Sequence, residues 1–256
     1  MNKLNNYLRK RECEIFLILE MSPKEYTVTT FHKLRIEIKK LKALMMLINK
    51  STSGFRYKKT FKPFKIIFQQ AGKVRELQIE EAMMKKYNLA PTLKEYRSRL
   101  KTSLLREQSC FFRLINEKSK SKLKRKYSLL QTFISGVNKK KALKYLLMKQ
   151  IKIQKLLKAT TLNNGQTHEL RKRLKYYDYN RRSLRVDDEF KLFSHQEELN
   201  LILGEWHDGQ VTLQHLSHAM DDIKIPSAGL EELQKTKEKI YSQNEILLNK
   251  MNALRR

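Results

Sequence analysis

The sequence predicts an all-α fold, and three observations carry that expectation. Glycine appears 7 times and proline 4 times in 256 residues, where average usage gives roughly 18 and 13. That scarcity excludes turn-rich sandwiches, β-solenoids and collagen-like chains, and disfavours Rossmann or P-loop architectures. Apolar residues recur at helical spacing. Leu34, Ile38, Leu41, Met45 and Ile48 are 4, 3, 4 and 3 positions apart, one stripe of a helix facing a core. Finally, capping signatures punctuate the chain. Ser22 and Thr92 each stand three residues before a glutamate, Glu25 and Glu95, placed for reciprocal bonds to free N–H groups.

The elements follow in order. A first helix is expected over Leu4 to Leu19, ending near Met21. Ser22-Pro23-Lys24-Glu25 begins a short helix or turn, with proline at its first helical position. Thr29 or Thr30 caps a long helix to about Asn49, and Ser51 to Gly54 is a loop. The next helix runs from about Pro63 to Tyr87 with Gly72 inside it, and the Thr92 box opens another to about Asn116. Lys118 to Lys126, KSKSKLKRK, holds six basic residues and no acid, and is either a ligand contact or a solvated tether. Gly136 and Asn138 mark a break before a helix from about Lys139 to Lys158. Asn163-Asn164-Gly165 is a turn, and Thr167 caps a helix to about Leu184. Helices over about 188–205 and 206–220 follow, broken or bent at Gly204 and Gly209. Ile225-Pro226-Ser227 begins a final segment to about Leu254. Short loops favour antiparallel neighbours.

Charge is the main clue to function. Lys plus Arg number 55 against 26 Asp plus Glu, a net +29 at pH 7. Self-repulsion of that size is relieved by an anionic partner, unless the charge is a merely basic, solvated surface; placement decides. The apolar fraction of 40% is enough for a core. Cys13 and Cys110 make no disulfide framework and fit a reducing compartment as small hydrophobes. The N-terminus does not read as a signal peptide. The longest apolar stretch, near Ala43 to Ile48, is far short of the ~20 residues of a membrane span. A cytoplasmic location without a membrane partner is therefore expected.

The placement is organised by a weak internal repeat. His32-Lys33-Leu34-Arg35-Ile36-Glu37-Ile38-Lys39 and His168-Glu169-Leu170-Arg171-Lys172-Arg173-Leu174-Lys175 share H-x-L-R-x-x-[IL]-K, 136 positions apart. Gly72-Lys73-Val74-Arg75-Glu76 and Gly204-Glu205-Trp206-His207-Asp208 follow, 132 apart. Two motif pairs in one order predict homologous helical halves, about 1–130 and 137–256, packed into one body with approximate two-fold symmetry.

On the first repeat helix His32, Arg35, Lys39 and Lys42 form a stripe beside the apolar one, with Lys40 reaching out from its edge. The second helix repeats this with His168, Arg171 and Lys175. Like charges at these spacings repel, and an anion lying along the face removes the cost. The histidines fall near the expected helix starts, where free N–H groups and the helix dipole add to an anion site. Arginine offers a planar fork to phosphate oxygens and lysine a mobile point charge. Gly72 and Gly204 are expected to let helices approach, turning Arg75 and His207 toward the partner helix or groove. Glu76 and Asp208 are placed to orient a basic group. The bland alternatives are capping or core histidines and an ordinary interhelical ion pair. No H-E-x-x-H, G-x-x-x-x-G-K-[ST] or G-x-S-x-G occurs, so no catalytic residue, metal or cofactor is expected. His207, His215 and His218 with Asp208 can be drawn as a metal site only if the helix continues through Gly209. Glu80 and Glu81 read as a solvated patch.

The paired motifs resemble the CHAD domain, the conserved histidine α-helical domain, over essentially the whole chain from about Leu4. The resemblance implies two pseudo-symmetric helical bundles with a basic surface or channel, and a domain that binds inorganic polyphosphate, often at polyphosphate granules. It implies that His32 and His168 are the family's histidines. Arg35, Lys39 and Lys42, then Arg171 and Lys175 with Arg173 nearby, are its basic positions. Gly72, Arg75 and Glu76, then Gly204, His207 and Asp208, are its glycine motif. Three departures stand out. Asp178 occupies the place where Lys42 would repeat, weakening that end of the groove. Glu76 replaces an aspartate. Lysine often replaces arginine, favouring looser charge contacts.

The expectation is one CHAD-like domain over 1–256 that binds polyphosphate without catalysis. The residues expected to do so are His32, Arg35, Lys39, Lys40, Lys42, Arg75, His168, Arg171, Arg173, Lys175 and His207. One rival is a nucleic-acid backbone binder using Tyr176, Tyr177 and Tyr179 as a platform. Another is a polyphosphate-processing enzyme, which needs a metal held by carboxylates. A third is a scaffold at granules.

Overall fold

The computed structural model describes residues 2–89, 93–186, 190–221 and 227–255. Among them nine α-helices and one 3-10 turn occur and no strand. The helices are α1 (Asn2–Glu20), α2 (Val28–Ser51), α3 (Tyr57–Lys86), α4 (Lys94–Leu114), α5 (Glu117–Ser135), α6 (Lys139–Leu157), α7 (Asn164–Leu184), α8 (Gln196–Met220) and α9 (Ser227–Arg255). The 3-10 turn, Pro23–Glu25, carries the expected box, with the Ser22 N–H donating to Glu25 Oε2 at 2.6 Å.

Two caps lie further upstream than expected. Thr27, not Thr29 or Thr30, caps α2: its Oγ1 accepts the Thr30 N–H at 3.3 Å while its own N–H donates to Thr30 Oγ1 at 3.1 Å. Asn163, not Thr167, caps α7, exchanging the same pair of bonds with Gln166 at 2.9 and 3.0 Å. His32 and His168 are thus each the fifth residue of their helix, five positions after the cap. The repeat therefore extends back to the caps. Both histidines lie beyond the first turn, where the helix-end charge has faded.

Three elements differ in extent. α3 begins at Tyr57 and contains Pro63. Buried Phe61 and Phe64 flank the proline and pin the preceding turn to the core. The basic run 118–126 is neither tether nor loop but part of α5, capped by Asn116 and buried through Leu123, Tyr127, Leu130 and Ile134. α8 is one continuous helix rather than two, and residues 190–195 precede it without helix. Gly209 does not break it: a Cβ there would run into Asn244 of α9, so glycine is what lets α9 lie close. The expected Thr92 cap and Ile225-Pro226 lie outside the described residues.

Apolar side chains gather in three clusters. The first is built from α1 to α5 around Phe31, Leu34, Phe64, Phe111 and Tyr127. The second joins the end of α3 and start of α4 to α8 and α9 through Met83, Met84, Leu100, Leu216 and Leu233. The third joins α6 to α9 through Leu146, Leu170, Leu174 and Leu203. Cys13 and Cys110 are free, and Cys13 is exposed rather than buried. No helix among the described residues is long and apolar enough to cross a membrane.

Candidate anion-binding site

The helical period decides where the charge goes. On α2 the core takes Leu34, Ile38, Leu41, Met45 and Ile48. One residue further on, turned by about 100°, Arg35, Lys39 and Lys42 are held half-buried at the core's edge. α7 buries Leu170, Leu174 and Tyr177 and holds Arg171 and Lys175 in the same way. α2 packs on α7 and α3, and α8 on α7 and α3.

The outcome is a cavity of about 320 Å³ whose lining includes His32, Arg35, Lys39, Arg75, Arg171 and His207, with Asp208 as its carboxylate. Lys39 also borders a depression of about 590 Å³ with Lys42, Lys58, Lys62, Lys65 and Tyr176. His168 lies beside the cavity, its ring tilted 44° to that of His207 with the centroids 5.2 Å apart. Lys58, Lys62 and Lys65 are not among the residues the sequence predicts for the site. Their 4, 3 spacing is the same stripe signal as on α2, hidden by starting α3 at Pro63.

Arg35 has a fixed seat at the cavity. Its Nη1 donates to the Phe68 carbonyl at 2.8 Å, and the guanidinium lies 4.2 Å above the Phe68 ring. It crosses α3 at Gly72, where a Cβ would collide with the guanidinium. Gly72 therefore makes room for an arginine rather than for a helix. Gly204, its repeat partner, faces open space, so the two glycines are not equivalent. Gly204→Ala is expected to stabilise the protein by about 0.5–1 kcal/mol through helix entropy alone. Gly72→Ala is expected to gain less or lose, because Arg35 must leave Phe68. Denaturant unfolding of the two variants checks the difference.

Lys39, Lys42, Arg75, Arg171 and Lys175 have no ion-pair partner among the described residues. The Nε atoms of Arg75 and Arg171 are buried without an acceptor. Burial, then Arg35, Lys175 and Arg171, push Lys39 down to about 8, with Asp208 opposing. Burial, then Arg171, His168, Lys39 and Lys175, push His207 down to about 3. Burial, then Arg75, Lys39 and Lys175, lower His32; burial, then Arg171 and Lys172, lower His168. The arrangement disfavours each of its own charges and favours an added anion.

Several expected residues lie elsewhere. Lys40 bonds Glu37 at 2.7 Å and does not line the cavity. Arg173 bonds Glu169 through Nε at 2.8 Å and borders a different depression. Asp178 does not weaken the groove: it accepts from Gln196 at 2.6 Å and Asn200 at 3.1 Å and lines neither cavity. Tyr177 is buried, its hydroxyl donating to the Phe190 carbonyl at 2.7 Å, and Tyr176 faces the larger depression. Glu80 is buried rather than solvated, bonded by the Tyr96 hydroxyl and 3.1 Å from His215 Nδ1. Although α8 continues through Gly209, no group of three or more metal-ligating side chains occurs among the described residues.

Known proteins share this fold. PptA from Streptomyces chartreusis has the same fold, with a TM-score of 0.72 over 98% of this chain and 98% of that one at 11% identity. The CHAD domain from the plant Ricinus communis gives a TM-score of 0.66 over 98% of this chain and 87% of that one at 14% identity. No curated protein matches the sequence. The CHAD domain profile matches residues 25–217, well over half the chain and both copies of the histidine motif, so the chain belongs to the CHAD domain family.

Proposed function

We propose that this chain binds inorganic polyphosphate without catalysis. The ligand lies in the basic cavity between an N-terminal helical bundle (about 1–130) and a C-terminal one (about 137–256) of a single domain. One observation carries the reading: Arg35, Lys39 and Arg75 from one repeat and Arg171 and His207 from the other line a single cavity. A polymer with about one negative charge per phosphate satisfies such a cluster along its length. His168, Lys42 and Lys175 complete the contact set. Lys40 and Arg173, each engaged by a glutamate, are secondary in it. Family membership supports a polyanion ligand and a cytoplasmic setting, with recruitment to polyphosphate granules.

Single-stranded nucleic acid fits less well. Base binding needs free aromatic faces, and here cations sit over them. Arg35 lies over Phe68, and the Lys42 ammonium is 5.6 Å from both the Phe61 and Tyr176 centroids. A processing enzyme needs converging carboxylates to hold a metal, and the cavity lining offers Asp208 alone.

The test is a titration with long-chain polyphosphate, competed by single-stranded RNA, from about pH 6 to pH 9. Polyphosphate is expected to win and its affinity to fall with salt. A bound polyanion raises the depressed pKa values of the three histidines and Lys39, so binding takes up protons. Affinity is therefore expected to rise as pH falls below about 6.5 and to fall as pH climbs through about 8, where free Lys39 loses its proton. In the bare protein the same depressed histidines cost stability as pH falls below about 6.5, because the unfolded chain takes up the protons. Preference for RNA, salt-insensitive affinity or release of orthophosphate with magnesium would overturn the reading.

A further inference from the structure

The lysine array does not stop at the central cavity. α6 buries Ala142, Leu146 and Ile153, which fixes its rotation. Beside that core face Lys141, Lys144, Lys149 and Lys152, with Tyr145 and Met148, form one stripe. With Lys50 at the end of α2 they line a depression of about 370 Å³. Lys152 is shared with a further depression of about 440 Å³, bordered by Lys155 and Arg173. From Lys141 to Lys155 the stripe runs about 21 Å along the helix at 1.5 Å per residue.

No ion pair among the described residues neutralises this stripe. None of Lys50, Lys141, Lys144, Lys149, Lys152 or Lys155 has an ion-pair partner among the described residues. Lys149 is half-buried, its ammonium 5.3 Å from the Tyr145 centroid. Like charges three and four residues apart weaken a helix, so stability alone does not account for the pattern. The stripe also adjoins the central site. Tyr57 and Tyr176 line the larger central depression, and Tyr145 lines the α6 depression. The three phenols lie near enough that ionising one would raise the pKa of its neighbours, and α2 packs on α6.

We infer that the α6 stripe is an outer polyphosphate track, continuous with the central cavity across the Tyr57/Tyr145/Tyr176 cluster, so that long chains engage both and short ones the cavity alone. The inference rests on the proposed central site. It makes affinity depend on chain length, because the outer contact is intramolecular once the central one has formed.

The experiment uses the full chain carrying Lys141→Gln, Lys144→Gln, Lys149→Gln and Lys152→Gln, with tripolyphosphate and long-chain polyphosphate as probes. The variant is expected to melt no lower than the parent and to bind tripolyphosphate within about 2-fold of it. Its affinity for long chains is expected to fall at least about 10-fold, with a shallower salt dependence. Unchanged long-chain affinity, or an equal loss for both lengths, overturns the outer track while leaving the central reading standing. If the parent binds neither probe, the central reading fails, and this inference with it. The exposed Leu147, Met148 and Ile151 also allow an anionic membrane as the partner. Binding of the parent but not the variant to phosphatidylserine-containing vesicles, with long-chain affinity unchanged, would assign α6 to that surface and sink the proposal.

Discussion

Replacing Lys39, Arg75, Arg171 and Lys175 together by glutamine is expected to weaken long-chain polyphosphate binding roughly 10²–10³-fold at about 0.1 M salt. Each neutralised charge contributes about 0.7 to the slope of log affinity against log salt, taking the single-strand value, so four contribute close to 3. The slope itself should therefore flatten by about 3, which separates lost charge contacts from a damaged site. Arg35 is left in place because its guanidinium is committed to Phe68 and its removal would confuse packing with binding. The four chosen cations have no ion-pair partners among the described residues; burial lowers the pKa of each, Lys175 and Arg171 lower Lys39 further, and Arg171 lowers Lys175 further. Their removal relieves repulsion, and the bare variant should melt at or above the parent temperature. A fall in melting temperature together with the lost affinity would mean that these side chains hold the helices together. Unchanged affinity would remove polyphosphate from the cavity altogether.

Much of that cavity is visible in the sequence because it rests on one periodicity. The Leu34-to-Ile48 stripe fixes the rotation of α2, and the neighbouring stripe then carries Arg35, Lys39 and Lys42. The repeat carries the same logic to Arg171 and Lys175. What the period does not carry is who else is near. Lys40 and Arg173 satisfy the basic pattern, yet Glu37 three residues before one and Glu169 four before the other engage them. That signal is local and was legible. The seat of Arg35 on Phe68 and the engagement of Glu80 by Tyr96 and His215 are long-range, and no spacing within a helix announces them. Glycine misled twice, in different ways. At Gly209 it marks a close approach to Asn244 within an unbroken helix, and at Gly72 a place for an arginine side chain. Capping was misplaced because the third residues of the two boxes, Thr30 and Gln166, are not glutamates.

Glu37→Ala is expected to be the most destabilising change among the charged residues, by about 3–5 kcal/mol. Glu37 and Arg11 are each only 4% exposed, and Glu37 Oε2 lies 2.5 Å from Arg11 Nη1 while Oε1 accepts from Lys40 at 2.7 Å. Removing the carboxylate leaves a buried guanidinium without its counter-charge, and the cost of that stranded charge exceeds any worth of the pair itself. For a chain of this size the loss corresponds to a fall of roughly 10 °C in melting temperature. The double variant Arg11→Met/Glu37→Leu should recover most of it, since neither charge then remains to be desolvated. Polyphosphate affinity measured well below the melting temperature should stay within about 2-fold of the parent in both variants. Glu37 sits in the binding motif by sequence, between Arg35 and Lys39, but lines neither central cavity. A stable Glu37→Ala protein with weakened binding would reverse that assignment. It would place the carboxylate, through Lys40, among the groups that shape the anion site rather than those that hold α1 to α2.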